Sequence, residues 1–348
     1  METKYLIVDK NVDSSSVYTQ AVDFLNSGEV VAFPTETVYG LGAVATDEEA
    51  VQKIFTAKGR PSDNPLIVHL HNKEQAKEYV TAISEVAQKC MDAFWPGPLT
   101  LIIEAKPNVF AANVQAGLST VGLRVPNHPV ALRLLEEIKK PLAAPSANRS
   151  GKPSPTKAEH VAEDMTNRIA CILDGGITGV GLESTVLDVT VTPPVILRPG
   201  GVTKEMLEKV IGTVIQPTNN EQESAEAPKA PGMKYTHYAP EAPVVLIEPT
   251  IEKVQQAIEQ LQAEGHRVAL LASESFAESK ANYFFTYGKD GNVKEMSVAL
   301  YDALRACDKT DATIILATTT AHVGVGVAIM NRLEKAAGGA WHTNNSEN

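Results

Sequence analysis

The chain has 348 residues, carries a net charge of −11, and is 43% hydrophobic but only 5% aromatic. That length suits two domains with ordinary α/β cores, and the acidic excess, spread over both halves, disfavours a protein that lives mainly on a nucleic-acid phosphate backbone. Cys90, Cys171 and Cys307 lie far apart and form no CxxC pair, and no run of about 18 apolar residues occurs, so neither a zinc module, a disulfide framework nor a membrane span is expected.

The first ten residues show no apolar run after a basic start, so no signal peptide is legible, and a reducing, cytoplasmic setting is expected. Val30–Phe33 reads as a strand. The segment PTETVYGL follows it, with hydroxyls at Thr35 and Thr37. Gly40 would let the chain turn closely past a ligand, or the stretch is simply a threonine-rich turn. Thr46-Asp47-Glu48-Glu49 resembles a capping box that opens a helix to Ala57. Next comes KGRPSDNPLIVH, residues 58–69. Two cations, Lys58 and Arg60, flank a glycine, a proline-bounded polar turn stiffens the backbone, and a strand over Leu66–Leu70 carries His69. A rigid cationic loop suits an anion such as a phosphate chain.

Lys73–Tyr79 and Ser84–Phe94 read as helices, and Leu99–Glu104 and Val121–Val125 as strands. Arg124, at a strand's end, suits a carboxylate or an ordinary ion pair. Pro129–Lys139 is an amphipathic helix and Leu142–Ala144 a short buried strand that leads into Pro145-Ser146-Ala147-Asn148. Ser154-Pro155 places proline at the first position of a helix. Ala170–Asp174, Thr185–Val189 and Val195–Arg198 are further strands, and Thr203 caps a helix to Val210. Arg198 precedes a glycine turn and a helix start, which makes an anion site. Strands frequently neighbour strands, so the fold class is α/β with a mixed, twisted sheet rather than a purely parallel one.

Residues 216–240 read as a linker, polar and proline-rich until Gly232-Met-Lys-Tyr-Thr-His-Tyr-Ala-Pro240. Beyond it, strands at Val244–Ile247, Val268–Leu271, Phe284–Tyr287 and Ala312–Leu316 alternate with helices at Glu252–Glu264, Val293–Ala306 and Val327–Ala336. This is a small Rossmann-like unit whose Gly324-Val-Gly326 is too weak to predict a dinucleotide. The domains are therefore 1–215, the linker 216–240, and 241–348. No Walker-type phosphate loop, GxSxG elbow or HExxH motif occurs, and the histidines lack neighbours at metal-ligand spacing.

PTETVYGL, KGRPSDNPLIVH, STVGLRVP, APSANRSG, ESTV, LRPGG and PGMKYTHYAP, in this order, resemble the threonylcarbamoyl-AMP synthase family in its long form, a YrdC-type catalytic domain followed by a linker and a smaller α/β domain. The resemblance implies synthesis of threonylcarbamoyl-adenylate from L-threonine, bicarbonate and ATP with release of pyrophosphate. The product would feed tRNA threonylcarbamoyladenosine modification. It implies Lys58 and Arg60 as catalytic contacts to triphosphate and carbamate. Asn64, Thr120, Ser146, Asn148, Ser154 and Arg198 would bind the nucleotide, with Tyr235 and His237 closing over it. Thr35, His69, Arg124, Ala144, Ser184 and Thr185 would form the threonine pocket. Mg²⁺ would arrive with ATP, no organic cofactor is implied, and the partners are the tRNA-modifying transferase machinery and weak contact with tRNA. A double-stranded RNA-binding module for translation or ribosome assembly is the competing reading. A carbamoyl transferase of the hydrogenase-maturation type would need CxxC zinc motifs and an acylphosphatase-like part, both absent here.

Overall fold

The computed structural model describes residues 2–9, 14–217 and 238–342. These form two compact units. The first takes in residues up to Ser150, Pro155–Gly179 and the chain from Glu183 to 217, and the second takes in Gly151–Ser154, Val180–Leu182 and 238–342. No helix among the described residues is long and apolar enough to cross a membrane.

The first unit is built on ten strands: β1 (Lys4–Ile7), β2 (Val31–Pro34), β3 (Tyr39–Val44), β4 (Ile67–His69), β5 (Leu99–Glu104), β6 (Thr120–Arg124), β7 (Leu142–Ala143), β8 (Cys171–Asp174), β9 (Thr185–Asp188) and β10 (Val195–Arg198). They lie in the order β1-β8-β2-β3-β7-β4-β6-β5-β9-β10. The β4–β6 and β5–β9 ladders are parallel, and β2–β3, β3–β7, β4–β7, β5–β6 and β9–β10 are antiparallel, so the sheet is mixed as expected.

Several features differ from the sequence reading. The strand β3 was not expected, because its Tyr39-Gly-Leu-Gly-Ala-Val44 run is poor in strand formers. Its glycines answer to packing: a Cβ on Gly42 would sit 2.6 Å from the Phe33 ring, and one on Gly40 would sit 3.3 Å from Ala144 Cβ. Gly40 is thus a strand residue, paired with Phe33 of β2 and bridged to Ser146, and no turn. The helix Glu48–Lys58 is capped by Asp47, whose carboxylate accepts from Ala50 N, one residue later than the Thr46 box suggests. Pro155 opens no helix. The helix there is Ala158–Met165, and the Pro155 carbonyl instead accepts from Tyr39 N, so Pro155 borders the sheet. The first strand and the helix Ser15–Asn26 also went unread.

Alternation along the strands divides the sheet's faces. Val68, Leu99, Leu101, Ile103, Val121, Leu123 and Leu187 join one large core, together with side chains from the helices Glu48–Lys58 and Glu85–Phe94. On the other face, the β1-β8-β2-β3-β7 half packs under the helices Ser15–Asn26 and Pro129–Ile138. The same face over β4, β5 and β9 carries only a small cluster of Ile67, Ile102 and Val186, with Leu197 against it and no described helix contributing. That sparsely covered stretch is the floor of the site.

The second unit is a parallel sheet of β11 (Val244–Ile247), β12 (Val268–Ala272), β13 (Tyr283–Thr286) and β14 (Ile314–Thr318) in the order β11-β14-β12-β13. Helices Ile251–Ala263, Val293–Cys307 and Val325–Ala337 complete it, close to the expected boundaries. Tyr238 is fixed inside this unit. Its ring stacks on Tyr301 at 5.4 Å, and the fully buried Arg332 guanidinium lies 5.7 Å from the Tyr238 centroid.

Candidate active site

Parallel pairing of β4 with β6 sets His69 directly beside Arg124, and antiparallel pairing of β4 with β7 sets Leu142 on the other side of His69. Ala144 follows immediately, its N–H donating to the Ile67 carbonyl at 2.9 Å. Side chains at matched positions of paired strands share a face, so the imidazole and guanidinium both rise from the sparsely covered floor. Gly122, two residues before Arg124 on that face, leaves room there. A Cβ would meet Thr100 Cγ2 at 3.1 Å and Ile102 Cδ1 at 3.3 Å.

Arg124 is held from two directions. Its Nε donates to the Gly97 carbonyl at 3.2 Å and its Nη1 to Thr37 Oγ1 at 3.0 Å. Thr37 belongs to the four-residue loop that joins β2 to β3. There Thr35 Oγ1 donates to the Val38 carbonyl at 2.7 Å, so Thr37 Oγ1, 2.8 Å away, donates to Thr35. A directed chain thus runs from guanidinium to Thr37 to Thr35 to the backbone. Thr35 fixes the loop's shape, and Glu36 at its tip brings Oε1 within 2.7 Å of Arg124 Nη2. Of the two readings of Arg124, the chain on its own realises the ion pair, and its partner is buried. The reading above missed Glu36; the only signal was an acidic residue between two threonines.

His69 stands edge-on to Phe33, centroids 6.2 Å apart, and its Nδ1 makes no hydrogen bond. Burial, reinforced by the Arg124 cation, pushes its pKa down from 6.5 to about 3, so the ring is neutral in the folded chain at neutral pH. The unfolded chain takes up a proton below 6.5, and the folded chain does so only near 3. Stability is therefore complete above pH 6.5 and is lost as pH falls between those values, at about 1.4 kcal/mol per pH unit. The melting temperature of His69→Gln should fall less steeply with acidification than that of the wild type. Parallel slopes would show that another group is responsible.

The cationic segment begins on a helix rather than in a loop. Lys58 is the last residue of Glu48–Lys58, and Gly59, at φ +69°, closes it in the left-handed region that glycine tolerates. Lys58 is buried, and its Nζ donates to the carbonyls of Ser146 at 2.6 Å and Asn148 at 2.7 Å. Ser150 N returns a bond to the Lys58 carbonyl at 3.0 Å. One buried ammonium thus ties KGRP to PSAN across 88 residues of sequence. The Arg60 guanidinium lies 5.6 Å from the Phe55 ring centroid, half-buried over the same helix. Asn64 is wholly buried, and neither its Oδ1 nor its Nδ2 makes a hydrogen bond. A buried amide with no partner costs free energy on the order of 1–3 kcal/mol, which a ligand would recover. Thr120, also buried, opens β6 on the same face as Arg124.

A third group comes from β9 and β10. Arg198 Nε and Nη2 both donate to the Ser184 carbonyl at 3.1 Å, and Nη2 also reaches Ser184 Oγ at 3.2 Å. Ser184 Oγ lies 2.8 Å from Thr100 Oγ1, a buried hydroxyl between Leu99 and Leu101 of β5 that nothing in the sequence marks out. Thr185 points to the opposite face. Its Oγ1 both donates to and accepts from the Val202 backbone, at 2.5 and 3.1 Å, so its hydroxyl anchors the LRPGG turn. That turn needs glycine, because a Cβ on Gly200 would lie 2.4 Å from both Glu183 O and Thr185 N. Ser154 belongs to the second unit, and Tyr235 and His237 lie outside the described residues. The three cysteines are buried, and desolvation raises their thiol pKa values to about 11 for Cys90 and about 12 for Cys171 and Cys307, so none is a ready nucleophile.

Known proteins are similar to this chain over most of its length. Residues 23–200 match the family model described as "Telomere recombination", and residues 202–338 match the model described as "Threonylcarbamoyl-AMP synthase, C-terminal domain". A Bacillus subtilis protein named threonylcarbamoyl-AMP synthase is 50% identical, covering 97% of this chain and 99% of its own. A Schizosaccharomyces pombe protein of the same name is 39% identical over 93% of this chain and 89% of its own. The crystal structure of Pyrococcus abyssi Sua5 complexed with L-threonine superposes with a TM-score of 0.92 at 45% identity, covering 97% of this chain and 99% of that one.

Proposed function

The chain belongs to the threonylcarbamoyl-AMP synthase family, and on that premise we propose that it joins L-threonine, bicarbonate and ATP into threonylcarbamoyl-adenylate with release of pyrophosphate. The product would serve tRNA threonylcarbamoyladenosine modification. The observation that carries this reading is unmet hydrogen-bonding capacity. His69 Nδ1, Arg124 Nη2 and both Glu36 oxygens are buried together at one sheet floor without a hydrogen bond, and Asn64 Oδ1 and Nδ2 are buried and unbonded as well. Such a set asks for a ligand rich in charge and hydrogen-bonding groups, and an amino acid beside a nucleotide is one.

In this reading the amino acid lies over β4 and β6. Arg124 takes its carboxylate, His69 faces it as a neutral ring, and Ala144, Ser184 and the Thr35 loop shape the pocket. The nucleotide lies toward Lys58, Arg60, Asn64, Thr120, Ser146, Asn148 and Arg198. The threonine ammonium gives up a proton, the free amine adds to bicarbonate with loss of water, and an oxygen of the resulting carbamate attacks the α-phosphorus as pyrophosphate leaves. No side chain need act as nucleophile. The protein's part is to bring anions together and stabilise charge during the transfer, which is the task of buried cations and oriented donors. Among the described residues no group of three His, Cys, Asp or Glu side chains could hold a metal ion. Magnesium would enter on the phosphates of ATP as part of the substrate, offsetting their charge.

Mass spectrometry of the purified protein incubated with ATP, L-threonine and bicarbonate tests the proposal. Threonylcarbamoyl-adenylate should form only when all three are present. Pyrophosphate release independent of threonine, or no adenylate at all, would overturn it.

A further inference from the structure

The ion pair at the centre of the pocket is only half made. Glu36 Oε1 approaches Arg124 Nη2 to 2.7 Å, yet neither Glu36 oxygen nor Nη2 makes a hydrogen bond of proper geometry. The Arg124 side chain is 4% exposed and that of Glu36 12%. Removing two such charges from water is offset fully only when attraction and directed hydrogen bonds act together. Here the attraction is present and the directed bonds are missing. The guanidinium itself is fixed, by Gly97 O on Nε and Thr37 Oγ1 on Nη1. Glu36, at the tip of the β2–β3 loop, is therefore the partner left to adjust. The adjacent His69 ring is neutral and supplies neither a cation nor an anion.

An α-amino acid carries its carboxylate and ammonium on one carbon. When its carboxylate reaches Arg124 Nη2, it displaces Glu36 from that nitrogen and leaves its own ammonium beside a carboxylate that has just lost its cation. We propose that Glu36 binds the α-ammonium of the substrate amino acid, so that the row Glu36, ammonium, carboxylate, Arg124 keeps every buried charge paired and gives the Glu36 oxygens the directed bonds they lack. This deepens the reading of the pocket as the threonine site and rests on it. Glu36 is then a specificity-determining residue. It selects an amino acid over a carboxylic acid of the same skeleton, and it holds the nitrogen where the carbamate forms.

Titration calorimetry on the full chain tests this with two ligands, L-threonine and 3-hydroxybutanoate, which is threonine without its amine. The wild type should prefer threonine. Glu36→Gln should lose roughly 10- to 100-fold in threonine affinity, the range for a hydrogen bond to a charged group. It should bind 3-hydroxybutanoate as well as the wild type or better, because no carboxylate competes for Arg124. Glu36→Asp, which keeps the charge, should retain part of the preference, and it serves alone if the glutamine variant fails to fold. Equal losses for both ligands would mean that Glu36 only holds Arg124, and unchanged threonine affinity would overturn the assignment outright. If the wild type itself binds no threonine, the threonine reading falls, and this proposal with it. If the wild type binds threonine and only the variant behaviour is wrong, the Glu36 assignment falls alone.

Discussion

Lys58→Ala is expected to lower threonine- and bicarbonate-dependent pyrophosphate release by roughly 100-fold or more, the loss typical of removing a donor that stabilises a transition state. Lys58 is buried at the end of its helix and bonded to the Ser146 and Asn148 carbonyls. The two carbonyls hold the ammonium where KGRP meets PSAN, and a compact cation fixed there suits a phosphate or carbamate. Truncation removes that charge and leaves two carbonyls without their donor, so some stability is lost too. Lys58→Met separates the effects by keeping the apolar stem. If Lys58→Met folds with a near-normal melting temperature and still loses turnover, the charge is what matters. If it turns over normally, Lys58 is a structural tie between KGRP and PSAN. Arg60→Ala should lower turnover similarly, with a smaller cost in stability, because Arg60 is only half-buried.

Arg124→Ala should raise the apparent KM for threonine by roughly 100-fold while that for ATP changes little, since a charged, directed contact to a buried carboxylate is worth about 3 kcal/mol. It should also destabilise the fold. Removing one partner of a buried pair strands the other, at a cost of about 3–5 kcal/mol, and here Glu36 would be left buried with no cation against it. The double variant Arg124→Ala/Glu36→Ala should therefore melt at a higher temperature than Arg124→Ala alone, although neither binds threonine well. Additive losses would mean that the two charges are not coupled. A change in ATP affinity alone would remove Arg124 from the amino-acid pocket.

Much of the fold was legible residue by residue. Leu99–Glu104 and Val195–Arg198 are read with their observed bounds, because strand-forming runs there are closed by clear breaks. Ser84 and Thr203 cap the helices expected of them. β3 was illegible because its glycines look like a turn in one dimension and are demanded by Phe33 and Ala144 in three. The site divides in the same way. Residue type and order singled out Lys58, Arg60, His69 and Arg124, because charged groups amid prolines, glycines and strand residues are chemically conspicuous, whereas Asn64 came only with the resemblance to a family. Glu36 and Thr100 were not conspicuous, since an acid in a loop and a threonine in a strand are ordinary until their neighbours are known.

The sequence by itself determined which family this protein belongs to, because side-chain type and order along the chain are what define a family's motifs. Only the tertiary structure decided how those groups meet. Parallel pairing of two short strands, from residues 67–69 and 120–124, puts His69 beside Arg124. A buried lysine joins loops 88 residues apart. A hairpin tip sets Glu36 against the arginine, and Thr185 turns to the opposite face to pin Val202. Pairing register and burial are properties of the assembled sheet, and they are what convert a list of polar residues into one place where a buried arginine, a histidine and a glutamate meet.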